Sequence, residues 1–120
     1  MSPQPLVLVV EDEPLILLDA CDMVESAGYA TRAATNATRA FSILAENSSI
    51  AILFTDIDMP GPIDGMALAF ETKARWPHIS IIITSGRGPL ARHEIPPDAV
   101  FLGKPYLERS LVETLKNLIA

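Results

Sequence analysis

The chain has 120 residues, enough for one domain that buries about two-thirds of the surface its unfolded form exposes, without a disulfide or metal staple. Fifteen acidic residues against nine basic ones give a net charge of −6 and a pI near 4.7, which argues against a phosphate-backbone binder and so against nucleic acid as a partner. Met1-Ser2-Pro3-Gln4-Pro5 has no basic n-region and the apolar run behind it is short, so no signal peptide and no membrane span is read, and the expected compartment is the cytoplasm.

Leu6-Val7-Leu8-Val9-Val10 reads as a strand and runs into two acids, Glu11 and Asp12. Pro14 to Ala27 reads as a helix, opened by Pro and stopped by Gly28. Its apolar residues at 16, 20, 23, 24 and 27 predict the core stripe, which leaves Leu15 and Leu18 on the far side with Asp22 and Glu25. Cys21, the single cysteine, reads as a packed thiol. Tyr29 to Ala34 is small and polar for a strand and suits a sheet edge. Asn36 is placed to cap a helix over Ala37 to Glu46.

Ile50 to Thr55 is the next strand, ending in Asp56, and a helix over Asp64 to Arg75 follows. Ile79 to Ile83 runs into Thr84-Ser85, and Ala99 to Gly103 runs into Lys104-Pro105. Between them, Gly86 to Asp98 holds two glycines and three prolines, which leaves at most about two turns for a helix over Pro89 to Ile95 and makes this the segment expected to be most mobile. The last helix, Leu107 to Ile119, repeats apolar residues at helical spacing. His78 and His93 have no Cys or second His at ligand spacing, so no transition-metal site is read.

This β-α alternation with short connections predicts a parallel sheet with right-handed crossovers and helices on both faces, in one domain over residues 1–120 with no output domain after it. Open α/β sheets bind their ligands at the carboxyl ends of the strands. Four strand ends here carry Glu11-Asp12, Asp56, Thr84-Ser85 and Lys104. Adjacent acids near Asp56 would repel one another and raise a pKa, a cost that a hard divalent cation on carboxylates, carbonyl oxygen and water removes. Asp56 can then accept a phosphoryl group, held by the hydroxyl and the ammonium. Each residue also has a plainer role open to it: Asp56 as a turn cap, Thr84 or Ser85 as a helix cap, Lys104 as a solvated surface group, Phe101 as core.

Val9-Val10-Glu11-Asp12-Glu13, Thr55-Asp56-Ile57-Asp58-Met59-Pro60, Ile83-Thr84-Ser85 and Lys104-Pro105 together resemble the receiver domain of two-component response regulators, in the family's order and over essentially the whole chain. The resemblance implies a flavodoxin-like sheet of order 2-1-3-4-5. It implies phosphorylation of Asp56 by a histidine kinase or histidine phosphotransfer protein, with at most Mg²⁺-dependent self-phosphorylation and self-dephosphorylation. Asp12, Asp56 and the backbone carbonyl of Asp58 would hold Mg²⁺, or Mn²⁺ in its place, with Glu11 acting through water. Thr84 would bond the phosphoryl oxygens and Lys104 would pair with them. Thr84 and Phe101 would form the switch, and Lys104-Pro105 would be cis. Leu15 and Leu18 would lie where a kinase helix docks. A downstream protein not identified by the sequence would read the switched face, with the domain itself a monomer or weak dimer.

Four features depart from the family pattern. Gly61-Pro62-Ile63 makes the loop after the acceptor one residue longer, Glu11 replaces the commoner Asp, Phe101 lacks a tyrosine hydroxyl, and the fourth helix is poor. Two other functions compete. Asp56-Ile57-Asp58 resembles the Asp-x-Asp of haloacid-dehalogenase-like phosphohydrolases, though that family carries it after its first strand. A pseudo-receiver would bind a partner without phosphorylation, and would not need all of Glu11, Asp12, Asp56, Thr84 and Lys104.

Overall fold

The computed structural model describes residues 4–47, 49–59, 61, 63–87 and 90–119. Strands β1 (Leu6–Val10), β2 (Ala30–Ala34), β3 (Ile50–Asp56), β4 (Ser80–Ser85) and β5 (Val100–Gly103) form one sheet of order β2-β1-β3-β4-β5, with every neighbouring pair parallel. Helices α1 (Pro14–Ser26), α2 (Ala37–Glu46) and α3 (Gly65–Arg75) make the first three crossovers, and α4 (Glu108–Ile119) follows β5. The polar β2 is an edge, as its composition predicts. The strands alternate sides with period 2. Leu8, Val10, Leu53, Ile81 and Ile83 face α2 and α3, while Val7, Val9, Ile52, Phe54 and Ile82 face α1 and α4.

The caps follow the sequence. Asn36 accepts the Arg39 N–H at 2.7 Å, and Asp64 accepts the Ala67 N–H at 2.8 Å, so each satisfies a donor of a helix start that has no partner within the helix. Gly28 follows α1 with a φ of +101°, a left-handed conformation that stops the helix where Gly is cheap. Cys21 is buried against the sheet, and burial raises its thiol pKa.

One face is corrected. The buried stripe of α1 is Leu17, Ala20, Cys21 and Val24, whereas Ile16 is exposed and Met23 and Ala27 are half-buried. Residues 15–18 are all apolar, so periodicity in that turn does not choose between 16 and 17 as the first inward residue. The sheet takes Leu17. Leu15 and Leu18 face solvent, as expected, at 81% and 59% exposure.

The segment between β4 and β5 forms one 3-10 turn, Arg92–Glu94, and no α-helix among its described residues. It has its own fastening. Arg92 donates to the carbonyls of Ala99 and Pro96, the latter at 3.0 Å, and the Glu94 carboxylate accepts the Ala91 N–H at 2.8 Å. Pro89, the expected start of the fourth helix, lies outside the described residues, as does Gly88 before it. So do Pro60 and Pro62 of the acceptor loop.

Candidate functional site

Parallel register brings the chemistry to one edge. Val10 pairs with Thr55, Asp56 with Thr84, and Ser85 with Gly103, so the residues that continue β1, β3, β4 and β5 leave the sheet side by side. Carboxylate oxygens of Glu11, Asp12 and Asp56 lie within 4.8 Å of one another. The Lys104 ammonium donates to Glu11 at 3.0 Å and to Asp56 at 3.1 Å. Its peptide bond to Pro105 is cis, as the resemblance implied. The lysine N–H also bonds the Ser85 carbonyl at 2.9 Å, which ties the end of β5 to β4.

Burial makes these charges interact strongly. Glu11 and Asp56 are each 4% exposed. Burial, with Asp12 and Asp56 beside it, pushes the Glu11 carboxyl up to about 7 although Lys104 opposes the shift. Burial alone would lower Lys104, but its bonds to Glu11 and Asp56 outweigh that and raise it. The ammonium is therefore fully charged at neutral pH. Three acids against one base leave a surplus of negative charge, and oxygen ligands this close suit a hard divalent cation.

The Thr84 hydroxyl is buried and has no hydrogen-bond partner among the described residues. An unsatisfied buried hydroxyl costs about 1–3 kcal/mol, and the hydroxyl of Thr72 in α3 is left the same way. Thr84 sits on the strand position paired with Asp56. The Asp56 carboxylate is aimed by its own loop, since the Asp58 N–H donates to Oδ1 at 2.9 Å. Gly65 opens α3 directly over this turn, so close that a Cβ there would lie 2.0 Å from the Asp56 carbonyl oxygen.

Three features had no signal in the sequence. The Asp58 carboxylate is held by Ser85, Gly86 and Arg87. Those bonds lower its pKa against the opposing effect of burial. Tyr106 packs edge-on to Phe54, ring centroids 5.8 Å apart, and burial raises its phenol pKa. With Ile16, Asp19, Met23, Lys104 and Pro105 it lines an open groove of about 430 Å³ beside the acids. Phe101 is half-buried and packs against the core on the α2 and α3 face.

A family model described as the response regulator receiver domain matches residues 7–116. Sensor kinase CckA of Brucella abortus is 31% identical over 99% of this chain, which spans 13% of that protein. The transcriptional regulatory protein AruR of Pseudomonas aeruginosa is 35% identical over 99% of this chain and 51% of its own length. The chain thus spans about half or less of these relatives. Among solved structures, a response regulator receiver domain protein from Clostridium thermocellum superposes with a TM-score of 0.87 at 32% identity, covering 95% of this chain and 93% of that one. The receiver domain of the hybrid histidine kinase CckA gives 0.83 at 28%, covering 96% and 99%.

Proposed function

This chain belongs to the response regulator receiver domain family, and we propose that within it Asp56 is the phosphoacceptor of a two-component relay. One observation carries the reading: a buried carboxylate bonded to an ammonium lines one cavity with the unpartnered buried hydroxyl of its register partner, and these are the two donors that a new phosphoryl dianion on Asp56 requires. Attack by an Asp56 oxygen on the phosphorus of a phosphohistidine forms the P–O bond as the P–N bond breaks, and the imidazole leaves with a proton. Hydrolysis later returns the carboxylate and releases phosphate.

Asp12, Asp56 and the Asp58 backbone carbonyl would hold Mg²⁺, with Glu11 acting through water, and the ion supplies neutralisation of the acid cluster and the phosphoryl oxygens. Lys104 holds the acceptor oxygen in place beforehand and pairs with the phosphoryl group afterwards. Thr84 donates to a phosphoryl oxygen, and Phe101, packed beside β4, passes the adjustment on by packing. The partner is a histidine kinase or histidine phosphotransfer protein whose helix meets α1, where Leu15, Ile16 and Leu18 are exposed beside the Tyr106 groove. A downstream protein reads the altered face. Among the described residues no helix is long and apolar enough to cross a membrane. The Asp58 carboxylate, occupied by Ser85 and Arg87, favours this reading over a phosphohydrolase that needs that acid free above Asp56.

Intact-mass spectrometry after incubation with acetyl phosphate and Mg²⁺ tests it. Wild type should gain one phosphoryl group, Asp56→Asn none, and Asp12→Ala should need more Mg²⁺ for the same yield. No gain in wild type overturns the phosphoacceptor role in favour of a phosphorylation-independent adaptor, and a gain that survives Asp56→Asn moves the acceptor elsewhere.

A further inference from the structure

The first helix carries more apolar surface than the sheet covers. Leu17, Ala20, Cys21 and Val24 are buried, which leaves Ile16 44% exposed and Met23 half-buried. Ile16, Asp19 and Met23 recur at helical spacing, so they form one stripe along α1. Lys104, Pro105 and Tyr106, in the turn between β5 and α4, make the other wall of the open groove of about 430 Å³. That volume falls at the small end of the range of about 300–1,000 Å³ that ligand clefts span.

Charge selects the occupant. Asp19 is exposed and takes part in no ion pair among the described residues. The Lys104 ammonium is already held by Glu11 and Asp56. The acceptor cavity shares Ile16, Lys104 and Tyr106 with the groove, so the acid cluster adjoins it. The Tyr106 phenol registers that field: burial raises its pKa, Lys104 opposes the rise, and Asp19, Glu11 and Asp56 add to it. An anion is repelled from such a place, and a neutral apolar molecule leaves Asp19 unused. A cation with an apolar body meets both the carboxylate and the walls. We propose that the groove binds a small amphipathic amine, its ammonium on Asp19 and its apolar body against Ile16, Met23 and Tyr106. Of the residues given a part in phosphoryl transfer only Lys104 borders the groove, so the site stands whether or not Asp56 is the phosphoacceptor.

Phenethylamine is the probe, titrated at neutral pH into protein with isotope-labelled methionine methyl groups, with excess Mg²⁺ present to compete for the acid cluster. The Met23 methyl resonance, assigned by Met23→Leu, should shift along a curve that saturates in the millimolar range, as a probe of this size allows. Those of Met59 and Met66, which do not line the groove, should stay in place. Phenethyl alcohol, the neutral isostere, should bind about two- to fivefold more weakly, the share an exposed ion pair contributes. Hydrocinnamate, the anion, should bind more weakly still. Asp19→Asn should remove the advantage of amine over alcohol, and Ile16→Ser should weaken both alike. Both positions are exposed, so the variants keep the fold. A Met23 resonance that does not move, or moves without saturating, overturns the site. So does equal binding of amine and alcohol in wild type, or an amine curve unchanged by Asp19→Asn. Tightest binding by hydrocinnamate overturns it by making Lys104 the recognised charge. A Met23 shift that follows protein concentration with no amine present gives the groove to a second copy of the chain, and overturns it too.

Discussion

Replacing Gly65 by Ala should damage both the fold and the acceptor. The added Cβ would lie 2.0 Å from the Asp56 carbonyl oxygen, 2.6 Å from Ile57 Cα and 2.8 Å from the Asp56 carbonyl carbon, against ordinary contacts that begin near 3.4 Å. All three neighbours are backbone, so no side chain can swing aside. Relief requires α3 to retract or the end of β3 to shift by roughly an ångström. Retraction would pull Leu68, Ala69 and Thr72, all buried, off the sheet. Overpacking of this kind costs about 1–3 kcal/mol. The usual gain of Ala over Gly, about 1 kcal/mol in a helix interior, is smaller at the first helical position and does not cancel it. A shift of about 1 Å in a reacting group can also lower a rate by about 10²-fold. Urea unfolding followed by circular dichroism reads the first effect, and acetyl-phosphate labelling of Asp56 reads the second. A Gly65→Ala protein with wild-type midpoint and labelling rate would show that the helix start does not constrain the acceptor.

Glu11 makes stability depend on pH. Its carboxyl is raised from 4.5 to about 7 in the fold, so between those values the folded state keeps a proton the unfolded chain has released, and stability falls as pH rises through the window. At about 1.4 kcal/mol per unit this is a loss of about 3 kcal/mol for the metal-free domain, and Glu11→Gln should flatten it. Urea midpoints at pH 5 and pH 8 in chelator, for both proteins, check this, and parallel slopes would count against it. Leu18→Ser should slow transfer from the cognate histidine kinase while leaving acetyl-phosphate labelling of Asp56 unchanged. Equal slowing with both donors would place the damage in the fold or pocket rather than at a docking surface.

Four of the strands were legible because each is a short apolar run leading into polar residues of a different kind, a pattern that survives any choice of helix faces, while β2, small and polar, was legible only as an edge. The face of α1 was less legible. Leu15 to Leu18 offer four apolar residues in one turn, and only the sheet selects Leu17 over Ile16. The loss of a full helix between β4 and β5 could be read from its prolines and glycines. What fastens that segment could not, because an arginine in a loop carries no local sign of which carbonyls it will reach. Arg92 finds those of Pro96 and Ala99 only once the chain has turned back into β5.

The site divides along the same line. Glu11, Asp12, Asp56, Thr84 and Lys104 could be placed together without coordinates, because parallel strands put all their carboxyl ends on one edge and each residue stands at or just beyond such an end. Their pairing needs register as well. Lys104 meets Glu11 across 93 positions of sequence, and the choice of Glu11 and Asp56 as its partners follows from β5 and β1 flanking the β3–β4 pair. Asp58 shows the limit most plainly. Its neighbours in sequence assign it to the acceptor, and its backbone N–H does serve Asp56, but its carboxylate is claimed by residues 27 to 29 positions away. Those partners arrive because Asp56 and Thr84 share a rung. A side chain one loop beyond that rung therefore takes its partners from the neighbouring strand, and this is why motif reading, which locates the acceptor, does not see the cluster that holds Asp58.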